Sequence, residues 1–77
     1  MDSLIKGLQK NGFTVCFTSN DSFNIMDYNW VRTFANVKKG TGRKVLIKAV
    51  TEEEYTVCNS QKATLDWFLN NYSTIAK

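Results

Sequence analysis

The sequence predicts an α+β domain: an antiparallel sheet of three to four strands in the order αβββ(β)α, with both helices packed on one face. Three observations predict it. Apolar residues near either end of the chain recur at helical spacing, and those in the middle alternate with period two. A glycine-marked turn, Gly40-Thr41-Gly42, then divides the middle into the two arms of a hairpin. Antiparallel strands with helices on one side are the economical way to bury such faces. At 77 residues there is room for one domain, 1–77, with a thin core and no large active-site cleft.

The elements follow in order. Asp2 or Ser3 is expected to cap a first helix in which Leu4, Ile5 and Leu8 form one stripe, with Lys6, Gln9 and Lys10 turned away and Asn11-Gly12 ending it. Such a short helix must lean on a sheet to be stable. From Phe13 to Thr18 the residues alternate, with Phe13, Val15 and Phe17 on one side and Thr14, Cys16 and Thr18 on the other. Ser19-Asn20-Asp21-Ser22 is a turn cluster, and Phe23 to Asp27 is read as a bend or half-turn.

The long hairpin comes next. From Asn29 to Lys38, Val31, Thr33, Ala35 and Val37 point one way while Trp30, Arg32, Phe34, Asn36 and Lys38 point the other. After the turn, Val45, Ile47 and Ala49 face one side, and Lys44, Leu46, Lys48 and Val50 the other. Glu52-Glu53-Glu54 marks a second turn or strand end, and Tyr55 to Cys58 a last short strand. Asn59 or Ser60 is placed to cap a final helix with Leu65, Phe68, Leu69 and Tyr72 at i, i+3, i+4 and i+7, and with Gln61, Lys62, Asp66, Asn70 and Asn71 on its polar side.

Charge is distributed unevenly. The net charge is +3, yet six Lys and Arg residues and no acid lie between Tyr28 and Thr51, immediately before the three glutamates. Such a patch suits nucleic acid or an acidic protein surface. The same lysines also suit a solvated hairpin that resists edge-to-edge association.

No catalytic constellation is present. The chain has no histidine, and its few acids pair with no nucleophile across the expected topology, so an enzyme is not expected. Two cysteines, Cys16 and Cys58, are too few for a structural zinc site, and no metal or other cofactor is implied. Both are expected on the uncovered sheet face, on strands close enough to leave a disulfide open. Gly40-Thr41-Gly42 lacks the spacing, the Lys-Ser/Thr pair and the following helix of a phosphate loop, and reads as a hairpin turn. Met1-Asp2-Ser3 is not basic, and no apolar run reaches the length of a signal h-region or a membrane span. An intracellular setting is therefore expected, with the cysteines reduced.

The candidate partner-binding residues are Trp30, Arg32, Phe34, Lys38, Lys39, Arg43, Lys44 and Lys48. On the uncovered face the aromatics are expected to stack bases or anchor a protein partner while the cations track phosphates. The hairpin also fits a DNA groove as a β-ribbon. The opposite register, or a homodimer, would instead bury Trp30 and Phe34, so both monomer and homodimer stay open. The element order also matches double-stranded-RNA-binding domains, whose basic start of the last helix is here reduced to Gln61-Lys62.

Leu4-Ile5 in the first helix, the aromatic-Thr14-Val15 entry into the first strand, Asp21-Ser22 and Ile25, then Glu54-Tyr55, Ser60 and the TLDWFLNNY helix together cover about half of the chain. In these segments the chain resembles a family of small Listeria-phage anti-CRISPR proteins that inhibit Cas9. The resemblance implies an αβββα fold and a phage-borne or mobile-element inhibitor that binds a host defence ribonucleoprotein stoichiometrically in the cytoplasm of a bacterial host. The family presents acids in place of the DNA that carries the PAM. Here only Asp21, Asp27 and Glu52 to Glu54 could do so, and the hairpin between the matching ends is basic, so DNA mimicry is not carried over. A small DNA- or RNA-binding protein using the same surface is the alternative expectation.

Overall fold

In a computed structural model, which describes residues 1–27 and 32–72, two helices and five strands follow one another: α1 (Asp2–Lys10), β1 (Thr14–Ser19), β2 (Ser22–Met26), β3 (Thr33–Lys39), β4 (Val45–Ala49), β5 (Thr56–Cys58) and α2 (Gln61–Tyr72). The strands form one antiparallel meander in the order β1-β2-β3-β4-β5. The fold is α+β as expected, with five strands where three to four were expected. The expected start of the long strand, Asn29 to Val31 and with it Trp30, lies outside the described residues.

The additional strand is β2, where a bend was expected. Ser22, Asn24 and Met26 alternate with Phe23 and Ile25, and the latter two are fully buried. Asn20 and Asp21 turn the chain between Ser19 and Ser22, which oppose each other, so β2 begins directly after the turn. Burying a side chain the size of Phe23 is worth about 1.5–3 kcal/mol, which outweighs the weak strand propensity of its polar neighbours.

Both helices cover one face of the sheet. Leu4 and Leu8 of α1 and Phe68 of α2 meet Phe23, Ile25, Ala35, Val37, Val45, Ile47 and Cys58 from the strands. Phe13, just before β1, stands edge-on to Phe68 at 4.7 Å between ring centroids and to Phe34 at 5.7 Å. The buried stripe of α2 runs through Thr64 and Phe68, while Leu65 and Leu69 are half-buried. Thr64 is tolerated there because its hydroxyl donates to the Ser60 carbonyl at 2.8 Å. The side chain of Tyr72 lies outside the description.

The helix starts differ from each other. Ser60 caps α2, its hydroxyl oxygen accepting from the Ala63 amide at 3.1 Å. At α1 neither expected residue caps: Met1 occupies the cap position without a side-chain bond, and Asp2 sits in the first turn. Gln61 of α2 does that work instead, its Oε1 accepting from the Ser3 hydroxyl at 2.9 Å and the Leu4 amide at 3.1 Å. Leu65 of α2 packs directly over Gly7 of α1, where a Cβ would fall 2.5 Å from Cδ2 of Leu65.

One irregularity redirects a predicted site residue. Ile25 opposes Ala35 but Met26 opposes Thr33, so Phe34 is the extra residue of a β-bulge. The bulge turns Phe34 into the helix layer, where it is 5% exposed. Phe34 was expected on the uncovered face beside Arg32. It is a core residue, because the bulge breaks the alternation on which that expectation rested. Among the described residues no helix is long and apolar enough to cross a membrane.

Candidate functional site

The β3–β4 turn is built by glycine and backbone. The Gly40 amide donates to the Lys44 carbonyl at 2.9 Å and the Lys44 amide to the Thr41 carbonyl at 3.2 Å. Gly42 takes a φ of 65°, which a side-chain-bearing residue resists. These bonds use backbone groups only, and Lys39, Arg43 and Lys44 remain exposed around the turn.

These three cations do not stand alone. The start of α2 faces the turn and brings Ser60, Gln61 and exposed Lys62 to it, and the start of α1 contributes Ser3, enclosing a groove of about 470 Å³. Lys39, Arg43, Lys44 and Lys62 line it, with no carboxylate among the described residues of its wall. Amide N–H groups of the first turn of α2 lie at the same end and add to the positive potential. The chemistry of such a groove suits anionic groups, with Arg matched to paired phosphate oxygens and Lys acting as a point charge.

The uncovered face of the sheet carries a second cluster. Asn36 Nδ2 donates to Asn24 Oδ1 at 2.9 Å, and the Tyr55 hydroxyl donates to Asn36 Oδ1 at 2.5 Å, forming a polar ladder across β2, β3 and the approach to β5. Lys38 Nζ stands 4.2 Å from the centroid of the Tyr55 ring and Lys48 Nζ 5.7 Å. The ring thus holds two ammonium groups side by side on an exposed face.

The eight predicted site residues therefore separate. Lys39, Arg43 and Lys44 line the groove. Lys38 and Lys48 share the Tyr55 ring on the uncovered face. Arg32 is exposed at the far end of β3, where its carbonyl accepts from the Asp27 amide at 3.0 Å. Phe34 is in the core and Trp30 lies outside the described residues. Sequence reasoning missed Tyr55, Asn24 and Asn36 as a unit, because no local pattern joins residues so far apart. It noted Lys62 only as a remnant of a basic helix start, and that start is the groove's second wall.

The cysteines do not pair. Cys16 lies on β1 and Cys58 on β5, the two opposite edges of the sheet, and both are free. Cys58 opposes buried Val45 on the covered side, so the expectation that both share the uncovered face fails for Cys58. Among the described residues no group of three or more Cys, Asp or Glu side chains could hold a metal ion. No protein-family model, curated protein or solved structure matches the chain.

Proposed function

We propose that the protein is a non-catalytic inhibitor of a host CRISPR-Cas or other nucleic-acid-targeting defence complex, acting by stoichiometric binding, and that its contact is made through the basic groove with the nucleic acid of that complex. The observation that carries this reading is the convergence of Lys39, Arg43 and Lys44 with Lys62 around a groove that, among the described residues, no acid lines. The inhibitory setting comes from the resemblance of the chain ends to phage anti-CRISPR proteins; the mode of contact comes from the groove. Lys38 and Lys48 extend the basic surface around the hairpin onto the uncovered face. Simple DNA or RNA binding, outside any defence complex, is the second reading, favoured by the same groove.

Capture from lysate of a phage-susceptible bacterium, with and without nuclease treatment, tests the first reading. A ribonucleoprotein retained in molar proportion and lost on nuclease treatment supports it. Fluorescence anisotropy with short labelled RNA and DNA between 50 and 200 mM salt tests the contact. A log–log slope of about 3 to 4 is expected, from about 0.7–0.9 per phosphate and four cations. Salt-independent binding, or none at the lowest salt, would sink the phosphate contact. Binding to free RNA or DNA without capture of any complex would favour the second reading.

A further inference from the structure

The two edges of the sheet are unlike. β5 is three residues long and follows Glu52, Glu53 and Glu54, and short, charge-flanked edges resist pairing with another chain. β1 is six residues long, pairs among the described residues only with β2, and carries neither a charge nor a proline anywhere from Gly12 to Asn20. Its covered side ends in Phe17, which is 60% exposed although its ring stands 5.8 Å from that of buried Phe23. An uncharged edge strand with an uncovered aromatic is what a pairing strand looks like before it pairs.

We propose that β1 pairs antiparallel with β1 of a second copy, about a two-fold axis at Cys16, to give a continuous ten-stranded sheet. The strand is self-complementary in this register. Opposed residues must share a face, which centres the axis on a residue. Centring on Cys16 sets Phe17 against Val15 of the partner twice on the covered side; Thr18, the extra residue of a β-bulge against β2, still turns to the uncovered side, where its hydroxyl bonds that of Ser22, and stands against Thr14 of the partner. Exposed aromatic thus meets half-buried β-branched aliphatic, and hydroxyl meets hydroxyl. The antiparallel arrangement also sends the two β3–β4 turns to opposite ends of the joined sheet. Copies of net charge +3 therefore meet along an uncharged strip. The pairing is independent of what the basic groove binds.

Sedimentation equilibrium tests it, with twice the 8.8 kDa chain mass expected at tens of micromolar. Phe17→Lys, and separately Thr18→Lys, at an exposed position whose hydroxyl bonds that of Ser22, should each return the mass to that of one chain while circular dichroism stays unchanged. Val57→Lys on β5 should leave the dimer intact. Opposed Cα atoms of an antiparallel pair lie about 4.5–5.5 Å apart, within the span of a disulfide. Diamide should therefore oxidise the two Cys16 thiols to an intermolecular disulfide, the two hydrogens passing to diamide. Cys16→Ser should abolish the cross-link and keep the mass. A single-chain mass up to several hundred micromolar overturns the pairing, as does a dimer that survives both lysine variants. A dimer that diamide does not cross-link overturns the Cys16-centred register.

Discussion

The two ends of β4 carry opposite charge and use it differently. At one end the β3–β4 turn is closed by the backbone bonds of Gly40 and Lys44, leaving Lys39, Arg43 and Lys44 exposed. At the other, the Glu52 carboxylate accepts from the Ala49 amide at 3.0 Å while the Glu52 amide donates to the Ala49 carbonyl at 2.9 Å. One end leaves its charges exposed, and the other spends one of its acids on the turn itself. Five residues of strand separate them by about 17 Å at roughly 3.3 Å per residue. That is about twice the screening length at physiological salt, so the acidic end does not cancel the basic one.

This contrast can be broken from either side. The largest effect is expected at Phe34, whose carbonyl anchors the acidic turn by accepting from the Val50 amide at 3.0 Å, and whose ring is buried against Phe13. Phe34→Ala should cost about 3–5 kcal/mol in urea unfolding, against less than about 1 kcal/mol for Phe17→Ala on the exposed edge. Equal costs would return Phe34 to the uncovered face. Next comes the basic end. Replacing Lys39, Arg43, Lys44 and Lys62 together by Gln should weaken RNA or DNA binding at least about 100-fold and lower the salt slope by about 3 to 4, with stability unchanged within about 0.5 kcal/mol. Retained affinity would move the contact to Lys38 and Lys48.

Smaller effects sharpen the comparison at the acidic end. Glu52→Ala removes the acceptor of the Ala49 amide and should cost about 1 kcal/mol by thermal unfolding. Neutralising Glu53 and Glu54 should change stability by less than about 0.5 kcal/mol, since both are exposed. If Glu53→Gln and Glu54→Gln cost as much as Glu52→Ala, the division of labour among the three glutamates is wrong.

Much of the fold is legible where one rule acts alone. Leu4 and Leu8, Ala35 and Val37, and Val45 and Ile47 repeat at the spacing of their element, and all are buried. Reading failed where two rules compete. The two apolar residues of β2 directly follow a turn and look like its continuation. Alternation alone sends Phe34 outward, and a bulge, which leaves no mark in composition, sends it inward. Phe17 lies on the covered side as expected, yet it stays exposed because β1 is an edge, a fact of topology. The groove was half legible: the turn cations stand together in the chain, but Lys62 joins them only through the packing of α2.

The ladder from Asn24 through Asn36 to Tyr55 has a consequence in time as well as in space. Its three members come from β2, β3 and the approach to β5, so it can close only after those segments have met. Ties between residues distant in sequence form late, and their loss is felt in the unfolding rate. Tyr55→Phe should therefore speed unfolding several-fold in stopped-flow measurements and leave the folding rate nearly unchanged; a slowed folding limb would show that the ladder forms early. The uncovered side of the sheet, with the two lysines beside the Tyr55 ring, then sets after the strands it joins and loosens before they part.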